Sequence, residues 1–195
     1  MMFIKKFLII ISFNLFFTFS SYGDDIKDFQ IEGISIGDNL LDYISKKELK
    51  EALEIFNYKN NEYRYYFLKY PKSKDYEFLQ ITIKPKDKNF QIHGIQGHIF
   101  YTENIDECYK KIDEIKKDID KVLDVKATKD QSTHSMDKTG KSKYTRFSYY
   151  LSNGSAEIIC YDMSKDYEKD GKYDRFAITL GTSEFLRWLT EVHYK

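Results

Sequence analysis

Several polar clusters in this chain have the residue types and spacing that chemistry requires. In Asp166-Tyr-Glu168-Lys-Asp170-Gly171-Lys-Tyr-Asp174, carboxylates stand at positions one, three, five and nine with glycine at six, the ligand spacing of a calcium loop. Position twelve carries Ala177 where such a loop places a bidentate glutamate. A polar hairpin loop turning at Asp170-Gly171 is therefore the favoured reading, with a calcium site as its rival. His93 and His98 flank Gly94, and one bulged residue between them would bring both imidazoles to one face of a strand. Two histidines without a third ligand make a poor zinc site, so both read as surface residues. His134 stands beside Ser132, Thr133 and Ser135, but no Gly-x-Ser-x-Gly elbow is present to set up an acyl-transfer nucleophile. No catalytic residue is assigned.

Tyrosine and arginine offer a different chemistry, that of recognition, because each combines a large contact area with a polar handle. Tyr63, Tyr65, Tyr66 and Tyr70 cluster in one stretch and Arg146, Tyr150 and Tyr161 in another. Arg146, Tyr150, Tyr161 and Tyr66 are the candidate binding residues. The competing explanation is compositional, since the chain is uniformly rich in Lys, Ile, Asn, Tyr and Phe, as AT-biased coding would make it. With 31 basic and 31 acidic residues and only four arginines, nothing points to nucleic acid.

Residues 1–23 read as a signal peptide. Lys5 and Lys6 precede a largely apolar run from Phe7 to Phe19, too short to span a bilayer, followed by the small-residue context Ser21-Tyr22-Gly23. Cleavage is expected near Gly23, leaving 172 of the 195 residues, a net charge of −2 and no further segment able to cross a membrane. That length suits one domain with its own core, residues 24–195. The mature protein is expected to be periplasmic or secreted. Cys108 and Cys160 then enter an oxidising compartment, where one disulfide is the economical reading; two buried thiols remain the alternative, and fifty-one intervening residues exclude a Cys-x-x-Cys redox site.

The elements that must position these residues begin with Asn104–Asp124. Ile105, Cys108, Ile112, Ile115, Ile119 and Val122 recur at spacings of three and four, one apolar stripe along a helix capped by Asn104 with Glu107. Packing on a sheet is preferred over a coiled coil, for which three heptads is a bare minimum. Upstream, Phe29–Gly37 reads as a short strand or extended arm. Ser45 and Glu48 form a capping box for a helix carrying Leu49, Ala52, Leu53 and Phe56. Between Glu62 and Tyr101 the period falls to two, giving three strands with a bulge near Gly94. Lys126–Lys143 reads as a mobile loop. Asn153-Gly154 is the strongest hairpin signal, pairing Ser152 with Ser155 and Phe147 with Cys160, and it puts Phe147, Tyr149, Leu151, Ala156, Ile158 and Cys160 on one face. Arg146, Tyr150, Glu157 and Tyr161 take the other face. A Cys108–Cys160 bridge would thus staple helix to sheet. A last strand, Arg175–Leu180, and a helix capped by Ser183 complete the chain.

The fold expected is α+β: an antiparallel sheet of about six strands with helices on one face, in the order α-βββ-α-βββ-α. Two α-βββ halves, 33–101 and 102–181, are compatible with that order. With Phe29–Asp38, Asn104–Ile115 and Glu184–Leu189 in view, the chain resembles a group of uncharacterised small exported proteins of marine bacteria, which implies export and paired cysteines. More distantly, Ile34-Ser-Ile-Gly-Asp38 before a short helix and a meander is similar to the small outer-membrane-assembly lipoproteins and the beta-lactamase-inhibitor-like fold; the lipid-bearing Cys of the former has no counterpart here. The function expected is a non-catalytic binding or protein-interaction module of the cell envelope, its partner an envelope protein or ligand. An envelope hydrolase and a calcium-stabilised structural domain are the alternatives.

Overall fold

The computed structural model describes residues 25–134, 137–169 and 171–195. The expected signal peptide and its cleavage point, and also Ser135 and Asp170, lie outside the described residues.

The N-terminal arm is a tight hairpin rather than a single strand. β1 (Gln30–Ile31) turns into β2 (Ile34–Ser35) through Glu32 and Gly33, both left-handed at φ 55° and 77°. The Glu32 carboxylate accepts hydrogen bonds from the Ser73 hydroxyl (2.7 Å) and from the backbone N–H groups of Lys74, Asp75 and Tyr76, tying the hairpin to a distant loop.

The Ser45–Glu48 capping box forms as expected, but α1 (Lys46–Lys50) stops after one turn. Glu54–Asn57 becomes β3 instead of more helix, an edge strand paired with β4 (Arg64–Leu68). Leu49, Ala52, Leu53 and Phe56 fit a helical period, but Leu53-Glu54-Ile55-Phe56 also alternates, and cross-strand pairing with Tyr65–Phe67 wins over local propensity. β5 (Phe78–Ile83) and β6 (Ile92–Phe100) continue the meander. Thr82 pairs with Gly94 and Ile83 with Ile92, so His93 is the extra residue of a bulge next to Gly94, as its slipped parity predicts.

α2 (Ile105–Val122) follows, with the Asn104 side chain accepting from the Asp106 N–H. Then come β7 (Thr128–Thr133), β8 (Lys143–Leu151), β9 (Gly154–Asp162), α3 (Lys165–Lys169), β10 (Arg175–Thr182) and α4 (Ser183–Trp188). β7 has no apolar face at all; it is an edge strand held by its ladder to β8 and by the Asp130–Arg146 ion pair (2.7 Å). In the β8–β9 hairpin the turn is Ser152-Asn153, and Leu151 pairs with Gly154. Phe147 therefore faces Ile158, and Cys160 faces Thr145. The shift is by two residues, so every side chain keeps the face expected for it. Gly154 is spared the turn because β10 comes too close: a Cβ there would lie 2.2 Å from the Gly181 carbonyl oxygen.

The main sheet has eight strands, not six, in the order β3-β4-β5-β6-β10-β9-β8-β7, every adjacent pair antiparallel. Two meanders, β3–β6 and β7–β10, thus meet at the β6–β10 ladder. The protein is α+β. One face carries Leu79, Ile81, Ile95, Phe147, Tyr149, Ile158 and Phe176, and α2 packs across β9 and β10 there to close the main core. Cys108 on α2 and Cys160 on β9, both fully buried, form a disulfide with Cα atoms 5.9 Å apart.

Of the stretch expected as a mobile loop, residues 128–133 form β7 and residues 137–142 are tied down by hydrogen bonds. Asp137 is 4 % exposed and its carboxylate accepts from the N–H and hydroxyl of Ser142 (2.8 and 2.6 Å), from those of Thr139 (2.8 and 2.6 Å), and from the Ser164 hydroxyl. These bonds, the Ser142 hydroxyl first, hold the carboxyl well below the usual carboxylate range. A depressed folded pKa contributes stability above the unfolded value, near 4, and loses it as pH falls toward the folded one. Asp137→Asn is therefore expected to lower Tm by several degrees at pH 7 and by progressively less below pH 4. Thermal melts across that range check it, and a gap that does not change with pH would assign the loss to shape rather than charge.

Candidate functional site

On the second face of the sheet, α4 covers one end. There Phe185 and Trp188 of α4 pack on Tyr58 and Tyr63 as a small second core, so the helices do not all lie on one face. The reason is local. The Thr182 hydroxyl caps α4 directly after β10 by accepting from the Phe185 N–H (3.1 Å), and Gly94 and Gly181 leave room for Phe185 and Leu186 over the strands. Away from α4, Tyr167 of α3 and His134 pack toward Tyr161, and strand parity sets what the rest of the face displays: Tyr65 and Phe67 from β4, Phe78 and Gln80 from β5, His98 and Phe100 from β6, Arg175 from β10.

All of these but Phe78 line a cup of about 260 Å³ whose walls also include Glu54 and Lys172. Phe67 stacks on Phe78 with ring centroids 5.2 Å apart and meets the His98 ring edge-on at 5.5 Å. His98 is 6 % exposed, and neither of its ring nitrogens has a hydrogen-bond partner. Burial, with the neighbouring Arg175 charge adding to it, pulls the His98 pKa down to about 3, so the imidazole is neutral at pH 7. The Arg175 guanidinium lies over the Tyr161 ring, 4.3 Å from its centroid, and donates one hydrogen bond to the Tyr173 carbonyl oxygen (3.3 Å). Among the described residues no carboxylate pairs with it. Glu54, on the rim, is engaged by the Tyr65 hydroxyl (2.7 Å).

The four expected binding residues separate. Tyr150 is on the open face at the hairpin end, 66 % exposed. Arg146 is on the same face, but Asp130 (2.7 Å) and Glu157 (3.8 Å) already pair with it. Tyr161 forms the support under Arg175. Tyr66 is the correction: it pairs across from Ile81 on the helix-covered face and is 7 % exposed within the main core. Tyr63, Arg64, Tyr65 and Tyr66 look alike in a list, but alternation sends Arg64 and Tyr66 inward to that core.

Of the carboxylates with calcium spacing, the three that are described, Asp166, Glu168 and Asp174, do not form a ligand cluster. Asp166 and Glu168 fall on α3, where Asp166 pairs with Lys169 and Lys141 and Glu168 with Lys165. Asp174 is buried and accepts from the Met163 N–H at 2.6 Å. Among the described residues no group of three or more His, Cys, Asp or Glu side chains converges as a metal site. His93 and His98 share the open side of the sheet, as a bulge requires, but both are buried rather than at the surface.

Arg175 is absent from the sequence-based candidates, and His98 enters them only as half of a poor zinc pair read as surface. The signal for Arg175 was its parity: with Phe176, Ile178 and Leu180 facing the core, Arg175 must share the outer face with Tyr161. His98 gave no such signal, because its burial depends on Phe67 and Phe78 from two other strands. No protein-family model, no curated protein and no solved structure matches this chain.

Proposed function

We propose that the protein is an exported, non-catalytic binding module of the cell envelope that holds a partner against the open face of its sheet. The observation that carries this reading is an aromatic cup on the second face of the sheet, with an arginine in it that no carboxylate among the described residues pairs. Aromatic side chains with arginine are what the buried centre of an interface uses. Export is supported by the signal-like residues 1–23 and by a disulfide, which persists in an oxidising compartment; among the described residues no helix is long and apolar enough to cross a membrane.

The test is site-specific crosslinking in the producing cell. A photoreactive residue at Phe100 or Tyr150, on the open face, is expected to trap one defined partner band. The same residue at Lys110 or Lys117, on exposed positions of α2, is expected to trap none. Equal adducts from both faces, or none from the open one, would refute the interface.

One contact favours a hydrolase. His93 Nδ1 lies 3.9 Å from Glu184 Oε2 beside a cavity of about 260 Å³ that Thr182 also lines. Against it, Lys84 holds the Glu184 carboxylate at 2.6 Å and the Thr182 hydroxyl caps α4, which leaves the histidine without an oriented carboxylate or an activated nucleophile. Ester or peptide hydrolysis unchanged by His93→Ala would dispose of this reading.

A further inference from the structure

The geometry points to the cup at His98 and Arg175 as an anchor for a carboxylate, presented by an acidic side chain of the partner that docks on the open face. The inference rests on the reading of that face as a binding surface and names what it selects.

Arg175 carries five N–H donors in a planar fork, and among the described residues one of them has a hydrogen-bond acceptor, the Tyr173 carbonyl oxygen. The Tyr161 ring packs against the guanidinium, whose Cζ lies 4.3 Å from the ring centroid, and Arg175 lines the cup. His98 is neutral and so has one N–H to give, and both of its nitrogens are buried without a partner. Buried polar groups in native proteins are nearly always satisfied, and a buried imidazole with neither nitrogen partnered among the described residues marks a place where something else supplies a partner. A carboxylate has two oxygens, one for the guanidinium edge and one for the imidazole N–H. Phe67, Phe100 and Tyr65 wall the cup, so the ion pair would form out of bulk water, where charge-assisted hydrogen bonds are strongest.

The dimensions and the charge narrow the ligand. About 260 Å³ accommodates an acidic side chain with its apolar stem but not a folded element. One arginine with a neutral histidine and a rim lysine suits a single negative charge; Glu54 on the same rim works against a dianion such as phosphate. Arg146, by contrast, is already neutralised by its own two acids and cannot play this part.

The probe is 3-phenylpropionate, titrated into the purified protein and followed through the His98 ring signals by NMR, with 3-phenylpropanamide as the uncharged control. The acid is expected to shift and saturate the His98 signals and to raise the His98 pKa; the amide should do neither. Arg175→Gln is expected to weaken binding of the acid about tenfold or more, and Arg175→Lys by less. Equal binding of acid and amide would overturn the anchor in favour of an apolar subsite, and no binding of either would overturn it outright. Should Arg175→Gln fail to fold, the comparison of acid with amide on the unaltered protein decides alone. If the probe fails while crosslinks from Phe100 persist, the anchor falls and the interface stands. If the acid binds but the open face traps no partner, a free small carboxylate replaces the acidic side chain as the ligand.

Discussion

Replacing Cys108 and Cys160 together by alanine is expected to lower the stability of the folded protein by about 4 kcal/mol and Tm by about 10 °C. The bridge closes a loop with a sequence separation of 52, and in the chain-entropy account a loop of that length removes this much freedom from the unfolded chain. The folded state loses little else, because both sulfurs are small and the apolar stripe of α2 remains. Nor does α2 come free: the Tyr149 hydroxyl donates to the Asp120 carboxylate at 2.9 Å near its far end, and Lys116 pairs with the same carboxylate. The prediction is therefore a native fold with a lower denaturation midpoint, not a molten one. Urea unfolding of both proteins, with peptide mapping of the unaltered one under non-reducing conditions, checks it. A midpoint within experimental error of the parent, or free thiols at both positions, would remove the bridge from the stabilising interactions.

That bridge was legible before any coordinates because two periodicities meet in it. The stripe of α2 buries Cys108 by a spacing of three and four, and the alternation of β9 buries Cys160 by a spacing of two. Parity survives an error in register, which is why a turn misplaced by one residue, from Asn153-Gly154 to Ser152-Asn153, left the faces unchanged. What periodicity could not reveal are the two edge strands. β7 reads Thr-Lys-Asp-Gln-Ser-Thr and buries nothing, so it exists through its ladder to β8 and the polar side-chain pairs across it. β3 satisfies a helical and a strand pattern at once, and only the presence of β4 beside it chooses.

The site was half legible for the same reason. Sequence reading settled on a tyrosine-rich face and on Arg146, whose acids Asp130 and Glu157 come from the neighbouring strands β7 and β9. An arginine's value to a partner depends on what its own fold leaves unpaired, and pairing across strands is written in topology rather than in composition. β10 lies at the centre of the sheet between β6 and β9, both of which place aromatic or small residues opposite Arg175, Phe100 and Tyr161. Neither direct cross-strand neighbour is an acid, and among the described residues no carboxylate pairs with Arg175, in contrast to Arg146 nearer the edge.

A titration of stability with pH is expected to expose the same site in the unbound protein. The folded state holds His98 neutral down to about pH 3, whereas in the unfolded chain it takes up a proton near its ordinary value of 6.5. Between those two values the unfolded state binds the additional proton, so stability falls as pH is lowered, by about 3 kcal/mol at pH 4. His98→Leu removes the titrating group and keeps the apolar packing against Phe67 and Phe78; relative to the unaltered protein it should lose nothing of this term at pH 7 and show a shallower slope from pH 6 downward. Carboxylates such as Asp137 titrate in both proteins and cancel in the difference. Identical pH profiles would mean that His98 is solvated in the folded state and that the cup is not the dry site its ring contacts describe. A bound carboxylate acts in the opposite sense, since its charge favours the imidazolium and lifts the His98 pKa toward neutrality. Adding 3-phenylpropionate at pH 5 should therefore stabilise the parent more than it stabilises His98→Leu, so one set of melts would join the acid sensitivity of the fold to the chemistry of its open face.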